Sequence, residues 1–193
     1  MKSSSKTFLK EAKRAFTLIE LLTVIAVIFI LLVIVVPSLR VVQKSVKKSA
    51  SQARFNQWVS AIEFFRQEYG YYPWTRNTES DTILNLNNRN FGVTFVETLS
   101  GRNANGDPVT TGGNRRGLSF YTFSNKDFFY DPETDAINVN TLVDAFNNHK
   151  IMLVLDSDED GQVVAGPDNE IVRANVAIWT LGSKPSMTVR SWK

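Results

Sequence analysis

The densest group of possible metal ligands in the sequence is the run Asp156-Ser157-Asp158-Glu159-Asp160-Gly161. Its carboxylates stand at alternate positions and its glycine permits a sharp turn, as in the first half of an EF-hand calcium loop. The twelfth position of such a loop needs a bidentate Glu, and this chain has Pro167 there, so a complete EF-hand is excluded. The prediction is a shortened calcium loop with these candidate ligands: Asp156, Asp158 and Asp160, joined by Asp168 or Glu170.

The same acidic run has two other interpretations. It is compatible with an acidic β-turn held by hydrogen bonds to Asp side chains, which needs no metal. A carboxylate pair for hydrolysis requires a cleft and two separated pKa values, and the sequence indicates no cleft. The chain has no cysteine and one histidine, His149, which removes thiolate chemistry and makes a histidine relay hard to build. The sequence therefore predicts a protein that is not an enzyme, with Ca²⁺ as its candidate cofactor.

The most apolar part of the chain is the run from Leu21 to Val36, sixteen residues in which Thr23 is the only polar one. Counted from Phe16, a helix would be roughly 31 Å long, against about 30 Å for the hydrocarbon core of a bilayer. No small-residue cleavage pattern follows the run, so a removable secretory signal is disfavoured. The sequence predicts a transmembrane helix over 16–36.

The charges beside this run do not orient it. Residues 1–15 carry a net charge of +4 and the rest of the chain −1. Five basic residues precede the apolar run and five follow it closely, so the positive-inside rule gives no preference. The carboxylate of Glu20 lies at the edge of the run, where it needs either a headgroup-level position or a partner of opposite charge.

The segment Lys13-Arg14-Ala15-Phe16-Thr17-Leu18-Ile19-Glu20-Leu21-Leu22 resembles the processing site of type IV prepilins and of the pseudopilins of type II secretion. The resemblance implies that a prepilin peptidase cuts between Ala15 and Phe16 and methylates the new amine of Phe16. Ala15 stands where the family usually has Gly. The resemblance also implies a single-pass protein of the inner membrane, with its N-terminus in the cytoplasm and its C-terminal head in the periplasm.

The same resemblance implies how subunits would assemble. The amine of Phe16 in one subunit would pair with the carboxylate of Glu20 in its neighbour, and the apolar helix would form the filament core. Pro37 stands where the family has a helix-breaking proline, and a proline inside a helix removes one backbone hydrogen bond.

Beyond Pro37, apolar residues recur at steps of three and four up to Tyr69, which predicts an amphipathic helix. Gly70 and Pro73 predict its end, and the wording EYGYYPW resembles the helix end of pseudopilins. Further elements are predicted in the rest of the chain: a helix around Phe91 to Leu99, and strands at Leu118 to Phe123, Ile151 to Leu155 and Val176 to Leu181, with a weaker strand near Gln162 to Ala165.

These observations predict an α+β protein. Its long N-terminal helix has a membrane-spanning first half, and the second half packs on a small antiparallel sheet and loops. Four parts follow in chain order: a cleaved leader over 1–15, the transmembrane or filament-core helix over 16–36, the amphipathic helix over 37–70, and a head over 71–193 with a variable loop at about 75–117.

The resemblance implies a pseudopilin of type II secretion that polymerises into a periplasmic pseudopilus. The segments 142–148 and 176–182 loosely resemble two C-terminal signatures of major pseudopilins, whose heads bind calcium. The implied partners are other copies of the chain, other pseudopilins, the prepilin peptidase and the secretion assembly platform; no nucleic acid is expected. A true type IV pilin of a surface pilus and a monomeric membrane-anchored binding protein stay open as alternatives.

Overall fold

The computed structural model describes residues 17–75, 80–182 and 187–192, with only the backbone at 34–39. The chain divides into two compact units, Met1–Gln43 and Lys44–Lys193. Two short 3-10 helices, at Thr111–Gly113 and Asn125–Asp127, accompany the regular elements. The helices and strands are α1 (Leu18–Tyr69), β1 (Thr82–Asn85), α2 (Arg89–Ser100), β2 (Phe128–Asp131), β3 (Ala136–Leu142), β4 (Ile151–Leu155), β5 (Val163–Ala165), β6 (Glu170–Val172) and β7 (Val176–Thr180).

In the first unit, α1 begins with a capping box. The backbone N–H of Thr17 donates to Glu20 Oε2 at 2.9 Å, and the backbone N–H of Glu20 donates to Thr17 Oγ1 at 3.3 Å. This reciprocal pair satisfies donors that a helix start leaves without an intrahelical partner. Thr17 and Glu20 therefore fix the start of α1.

The structure contradicts the predicted membrane span. Among the described residues, no helix is long and apolar enough to cross a membrane. The apolar part of α1 with described side chains, 18–33, has 16 residues. At about 1.5 Å per residue it measures about 24 Å, less than a hydrocarbon core of about 30 Å. The predicted transmembrane helix over 16–36, the membrane-spanning first half of the fold, and the single-pass inner-membrane location with a cytoplasmic N-terminus and a periplasmic head are therefore wrong.

In the second unit, α1 buries one face of large side chains against the head. Apolar residues three to four positions apart lie on one side of a helix, so a single stripe can be buried. The helix ends at Tyr69, where the prediction placed its end; Gly70 adopts a φ of 77° and its N–H donates to Arg66 O at 2.7 Å. The fully buried side chains of this stripe are Phe55, Trp58, Ala61, Ile62 and Phe65.

The head contains one antiparallel sheet of three strands, in the order β1-β4-β7. β4 is central: Leu155 lies opposite Thr82 of β1 and opposite Val176 of β7. Two hairpins, β2–β3 and β5–β6, complete the strands. The α+β class with small antiparallel sheets is thus as predicted, although β1 lies inside the stretch predicted to be a loop.

Both faces of the sheet are covered by apolar side chains. Alternate residues of a strand point to opposite sides, so each strand contributes to two cores. Leu153 and Ile178 belong to the main core with the buried stripe of α1. Val154 and Trp179 belong to a smaller core with residues of β5 and β6. This explains why β7, a strand at the edge of the sheet, is buried along its whole length.

The predicted strand at Leu118 to Phe123 is wrong. The backbone N–H groups of Phe120 and Tyr121 both donate to Leu99 O, at 2.8 and 3.0 Å, so the segment is tied to the end of α2. The aromatic side chains of Tyr121 and Phe123 pack against Trp58, and their burial accounts for the apolar pattern. The helix predicted around Phe91 to Leu99 is confirmed as α2.

Candidate metal centre

Three carboxylates converge at one end of the three-stranded sheet. Asp81 directly precedes β1, and Asp156 directly follows β4. The antiparallel register places Thr82 opposite Leu155, so the residues just outside this pair become neighbours. Asp158 completes the group, and one ligand oxygen from each of the three lies within 4.8 Å of the others.

Asp156 organises the loop that follows β4. It is 1% exposed, and its two oxygens accept hydrogen bonds from the backbone N–H groups of Asp160 at 3.1 Å and Gly161 at 3.0 Å. Left-handed backbone at Glu159 and Gly161, with φ of 61° and 79°, lets the loop fold back on Asp156. The Thr82 and Ser157 hydroxyls, 2.8 Å apart, join the loop to β1.

The electrostatics of the group favour a cation. Burial raises the pKa of Asp81, and the nearby negative charge of Asp158 adds to the effect. Burial likewise raises the pKa of Asp156. Asp81 Oδ1 is buried and accepts no hydrogen bond from any of the described residues. A bound cation would satisfy this oxygen and neutralise the mutual repulsion of the carboxylates.

The structure divides the predicted ligands. Asp156 and Asp158 belong to the group, whereas Asp160 uses Oδ1 to accept the backbone N–H of Gln162 at 2.8 Å. Asp168 and Glu170 form ion pairs with Arg190, at 2.5 and 3.3 Å.

Two features of the group could not be predicted from the acidic run alone. Asp81 was missed, because it has no chain proximity to the run and reaches it only through strand pairing. Glu159 belongs to the run but not to the group. It forms an ion pair with Arg66, whose Nη2 lies 2.7 Å from Glu159 Oε1.

Several predicted assembly residues fall at the N-terminus. Ala15 and Phe16 lie outside the described residues, and so does the side chain of Pro37, so the predicted cleavage and helix break stay predictions. Glu20 is exposed, and its carboxylate accepts hydrogen bonds from the backbone N–H and the hydroxyl of Thr17, which lower its pKa. Glu20 therefore remains ionised while it caps α1.

The chemistry of the acidic group suits calcium. Ca²⁺ takes six to eight oxygen ligands at about 2.3–2.6 Å in flexible arrangements, often with carboxylates and waters together. Three convergent carboxylates could supply part of that shell, and the outward position of Asp158, which is exposed, leaves room for water. The residues present therefore fit a calcium ion, with Asp81, Asp156 and Asp158 as its side-chain ligands.

A second buried carboxylate lies apart from this group. Asp144 is 2% exposed, and its Oδ1 accepts the backbone N–H groups of Phe146 and Asn148 at 2.8 and 3.0 Å. Its Oδ2 is buried without a hydrogen bond from the described residues. Burial raises the pKa of Asp144, although backbone hydrogen bonds, the charge of Arg54 and the Thr180 side chain act in the opposite direction.

Asp144→Asn is expected to make the protein more stable at pH 7, by about 1 kcal/mol, because it removes a buried carboxylate charge while the Oδ1 acceptor remains. A raised folded-state pKa means that the native state binds the proton more readily than the unfolded state, so the wild type loses stability as the pH rises through that pKa. Free energies of unfolding in urea at pH 4 and pH 7 measure this loss, which the variant should reduce.

Asp131→Asn is the control for this effect. Asp131 is half-buried, and hydrogen bonds from the Glu133 backbone and the Thr134 hydroxyl lower its pKa, so its contribution to the pH dependence has the opposite sign. If Asp144→Asn shows the same loss of stability between pH 4 and pH 7 as the wild type, the buried carboxyl does not cause that loss.

Comparisons with known proteins add no relative: no family model, no curated protein and no solved structure matches this chain.

Proposed function

We propose that this protein is a filament subunit that assembles through the apolar part of α1, in the manner of the pseudopilins of type II secretion. One observation carries the proposal: every described side chain over 17–33 is exposed. Sixteen positions, 18–33, include thirteen large hydrophobic side chains exposed by 45% or more.

Such a surface requires a cover. A helix that is hydrophobic all around its circumference is stable where all its sides are buried, and contiguous exposed apolar surface marks an interaction site. The exposed side chains include Leu18, Phe29 and Val33, at 82%, 66% and 73%. Other copies of the same helix offer matching apolar surface, and their mutual burial contributes roughly 25 cal/mol per Å².

The N-terminal resemblance supports the same proposal. Cleavage between Ala15 and Phe16 by a prepilin peptidase would remove the basic leader and leave a free amine on Phe16, two residues before α1 begins at Leu18. A neighbouring subunit's Phe16 amine and the ionised Glu20 carboxylate have opposite charges and would set the register between subunits. Other pseudopilins and the secretion assembly platform would be the further partners of the filament.

The proposal is tested by placing a charge in the apolar part of α1. Ile25→Lys puts an ammonium group among packed helices, where an unpaired charge is costly. We expect the sedimentable, filamentous fraction of peptidase-trimmed protein to fall about tenfold or more, since 1.4 kcal/mol per contact already gives that factor. The matched control is Phe64→Lys, which changes an exposed apolar residue of α1 outside this stretch. Wild-type amounts of filament from Ile25→Lys would contradict the proposal.

We further propose that Asp81, Asp156 and Asp158 bind Ca²⁺ in the head of the subunit. The buried Oδ1 of Asp81, which has no hydrogen-bond partner among the described residues, and the three carboxylates within 4.8 Å support it. The ion would tie the loop after β4 to the start of β1, so its binding should stabilise the head.

Calcium is expected to raise the melting temperature. At a calcium concentration one hundred times the dissociation constant, binding stabilises the native state by about 2.7 kcal/mol, or about 5–10 °C for a chain of this size. Differential scanning calorimetry with calcium and with a chelator measures the shift. Asp81→Asn should remove most of it.

Asp168→Asn is the matched control, because Asp168 is paired with Arg190 and lies outside the three-carboxylate group. Its calcium-induced shift should equal that of the wild type. A full shift in Asp81→Asn, or a loss of the shift in Asp168→Asn, would show that the ligands are not those of the proposal.

A further inference from the structure

The head contains a pocket of about 530 Å³ on the side formed by the chain after α1 and by α2. Its size lies within the range of about 300–1,000 Å³ that is usual for small-molecule sites. None of its described lining residues is charged. The lining consists of Tyr71, Tyr72, Trp74, Thr75, Leu84, Phe91, Thr94, Gly112 and Gly113.

The indole of Trp74 is held in one position on the wall of this pocket. Its ring stacks on Phe95 with centroids 5.2 Å apart and planes 25° apart, and is T-shaped to Phe91 with centroids 5.5 Å apart. Its Nε1–H donates to Thr98 Oγ1 at 2.9 Å. The ring is therefore fixed by two aromatic contacts and by its polar edge before any ligand arrives, which lowers the entropic cost of binding.

The backbone at Trp74 is strained. Its φ is 65°, in the left-handed region that a bulky aromatic residue rarely adopts. Such a conformation costs about 1–3 kcal/mol and persists where the surroundings enforce it, most often at ligand sites. Here the enforcing contact is the turn at Gly112, whose O accepts the Trp74 backbone N–H at 3.4 Å.

The turn at Gly112 is pressed against the indole. A Cβ at Gly112 would lie 2.0 Å from Thr98 Oγ1 and 2.6 Å from Trp74 Nε1. The neighbouring Gly113 accepts the Tyr71 hydroxyl at 2.8 Å through its backbone oxygen. The strained backbone at Trp74 and the close packing of Gly112 therefore belong to the same arrangement. In this arrangement, aromatic rings from two chain segments line one cavity.

We infer that this pocket binds a neutral carbohydrate ring. A sugar presents an apolar face of C–H groups that packs on an aromatic ring, and hydroxyl groups that hydrogen bond at its edge. The pocket offers both partners: the rings of Tyr71, Trp74 and Phe91, and the hydroxyl oxygens of Thr75 and Thr94. The two hydroxyls donate to backbone oxygens of the chain, so their oxygens are the groups that accept from the hydroxyls of a sugar. A charged ligand would meet no opposite charge among the described lining residues, and an unpaired charge is costly to bury.

A proline-rich peptide is the competing ligand class, because such peptides also dock on aromatic-lined surfaces. The observations favour the sugar, since the lining combines aromatic rings with threonine hydroxyl oxygens around one pocket of about 530 Å³. The site does not depend on filament assembly, because all its residues belong to the unit Lys44–Lys193.

The experiment titrates the full chain with maltohexaose, cellohexaose and decaproline, and follows binding by isothermal titration calorimetry. Saturable binding of at least one oligosaccharide is expected, with a dissociation constant of about 1 mM or lower, which corresponds to about 4 kcal/mol. Binding of decaproline in place of both sugars, or binding of none of the three probes, overturns the inference.

The variant Thr94→Phe decides whether the binding uses this pocket. It fills the cavity and leaves the ring contacts of Trp74 in place, so oligosaccharide affinity should fall at least about tenfold. Thr134→Phe makes the same change at an exposed position in the turn between β2 and β3 and should leave the affinity unchanged. Phe91→Ala serves as the second pocket variant if Thr94→Phe unfolds. Unchanged affinity in a folded pocket variant overturns the inference.

Discussion

Arg54→Met is expected to lower the free energy of unfolding by about 3–5 kcal/mol, because it leaves a buried charge without its partner. Arg54 Nε lies 3.0 Å from Asp127 Oδ1, and the two side chains are 12% and 3% exposed. Arg54 Nη1 also donates to Val143 O at 2.7 Å. The arginine thus joins α1 to two segments of the head that are distant from it in the chain.

Asp127 is held in place by a second residue, so it is expected to stay buried when Arg54 is replaced. Its Oδ2 accepts the backbone N–H and the hydroxyl of Ser124, at 2.7 and 2.9 Å, which fixes the carboxylate in place. Urea unfolding followed by tryptophan fluorescence measures the loss. Arg54→Lys keeps the charge but not the several directed N–H groups of the guanidinium, and should lie between the wild type and Arg54→Met.

Arg116→Met is the control for the buried pair. Arg116 pairs with Glu68 at the surface, where the side chains are 64% and 38% exposed. A surface ion pair contributes about 0–1 kcal/mol, so this variant should be close to the wild type. If Arg54→Met costs no more than Arg116→Met, the buried ion pair does not hold α1 to the head.

Trp58→Ala is the second variant with a large expected effect, again about 3–5 kcal/mol. Trp58 is fully buried, and its ring contacts four aromatic neighbours with centroid distances of 5.5 to 6.5 Å. These neighbours are Phe55, Phe95, Tyr121 and Phe123. The loss of the Trp58 side chain would leave a large cavity between α1, α2 and the segment before β2.

Phe64→Ala provides the comparison on the same helix. Phe64 is 57% exposed, and surface substitutions away from special features usually change stability by less than about 0.5 kcal/mol. Thermal or urea unfolding of the two variants in the same buffer separates core packing from helix propensity. Equal losses in Trp58→Ala and Phe64→Ala would mean that Trp58 does not anchor the main core.

The sequence predicted those elements whose local pattern and tertiary role agree. β4 and β7 are short, mainly apolar runs whose residues are almost all buried, so their pattern is strong. The end of α1 was predictable because Gly70 supplies the left-handed residue that closes a helix. β1 was missed, because its four residues alternate between half-buried and exposed and become a strand only through pairing with β4.

The acidic group shows the same limit. The spacing of Asp156 and Asp158 was visible in the sequence, but Asp81 joins them only through the register of β1 and β4. Asp168 and Glu170 lie close to the acidic run in the chain, yet Arg190 from the C-terminal segment pairs with both. Chain proximity therefore predicted part of the group and misassigned the rest.

The sequence predicted that the apolar run at the N-terminus is a helix, but it did not predict what surrounds that helix. Lipid and the packed helices of a filament both accept the same large aliphatic side chains, so composition does not distinguish them. The exposure of residues 18–33 therefore carries more weight for the proposed assembly than their hydropathy.

The most direct test of the central proposal is to trim the purified full chain with a prepilin peptidase and observe it by electron microscopy and sedimentation over a range of concentrations. The account predicts a chain that begins at Phe16 and forms filaments above a threshold concentration, whereas the untrimmed chain does not. A chain that begins at Phe16 and remains monomeric at every concentration would contradict it.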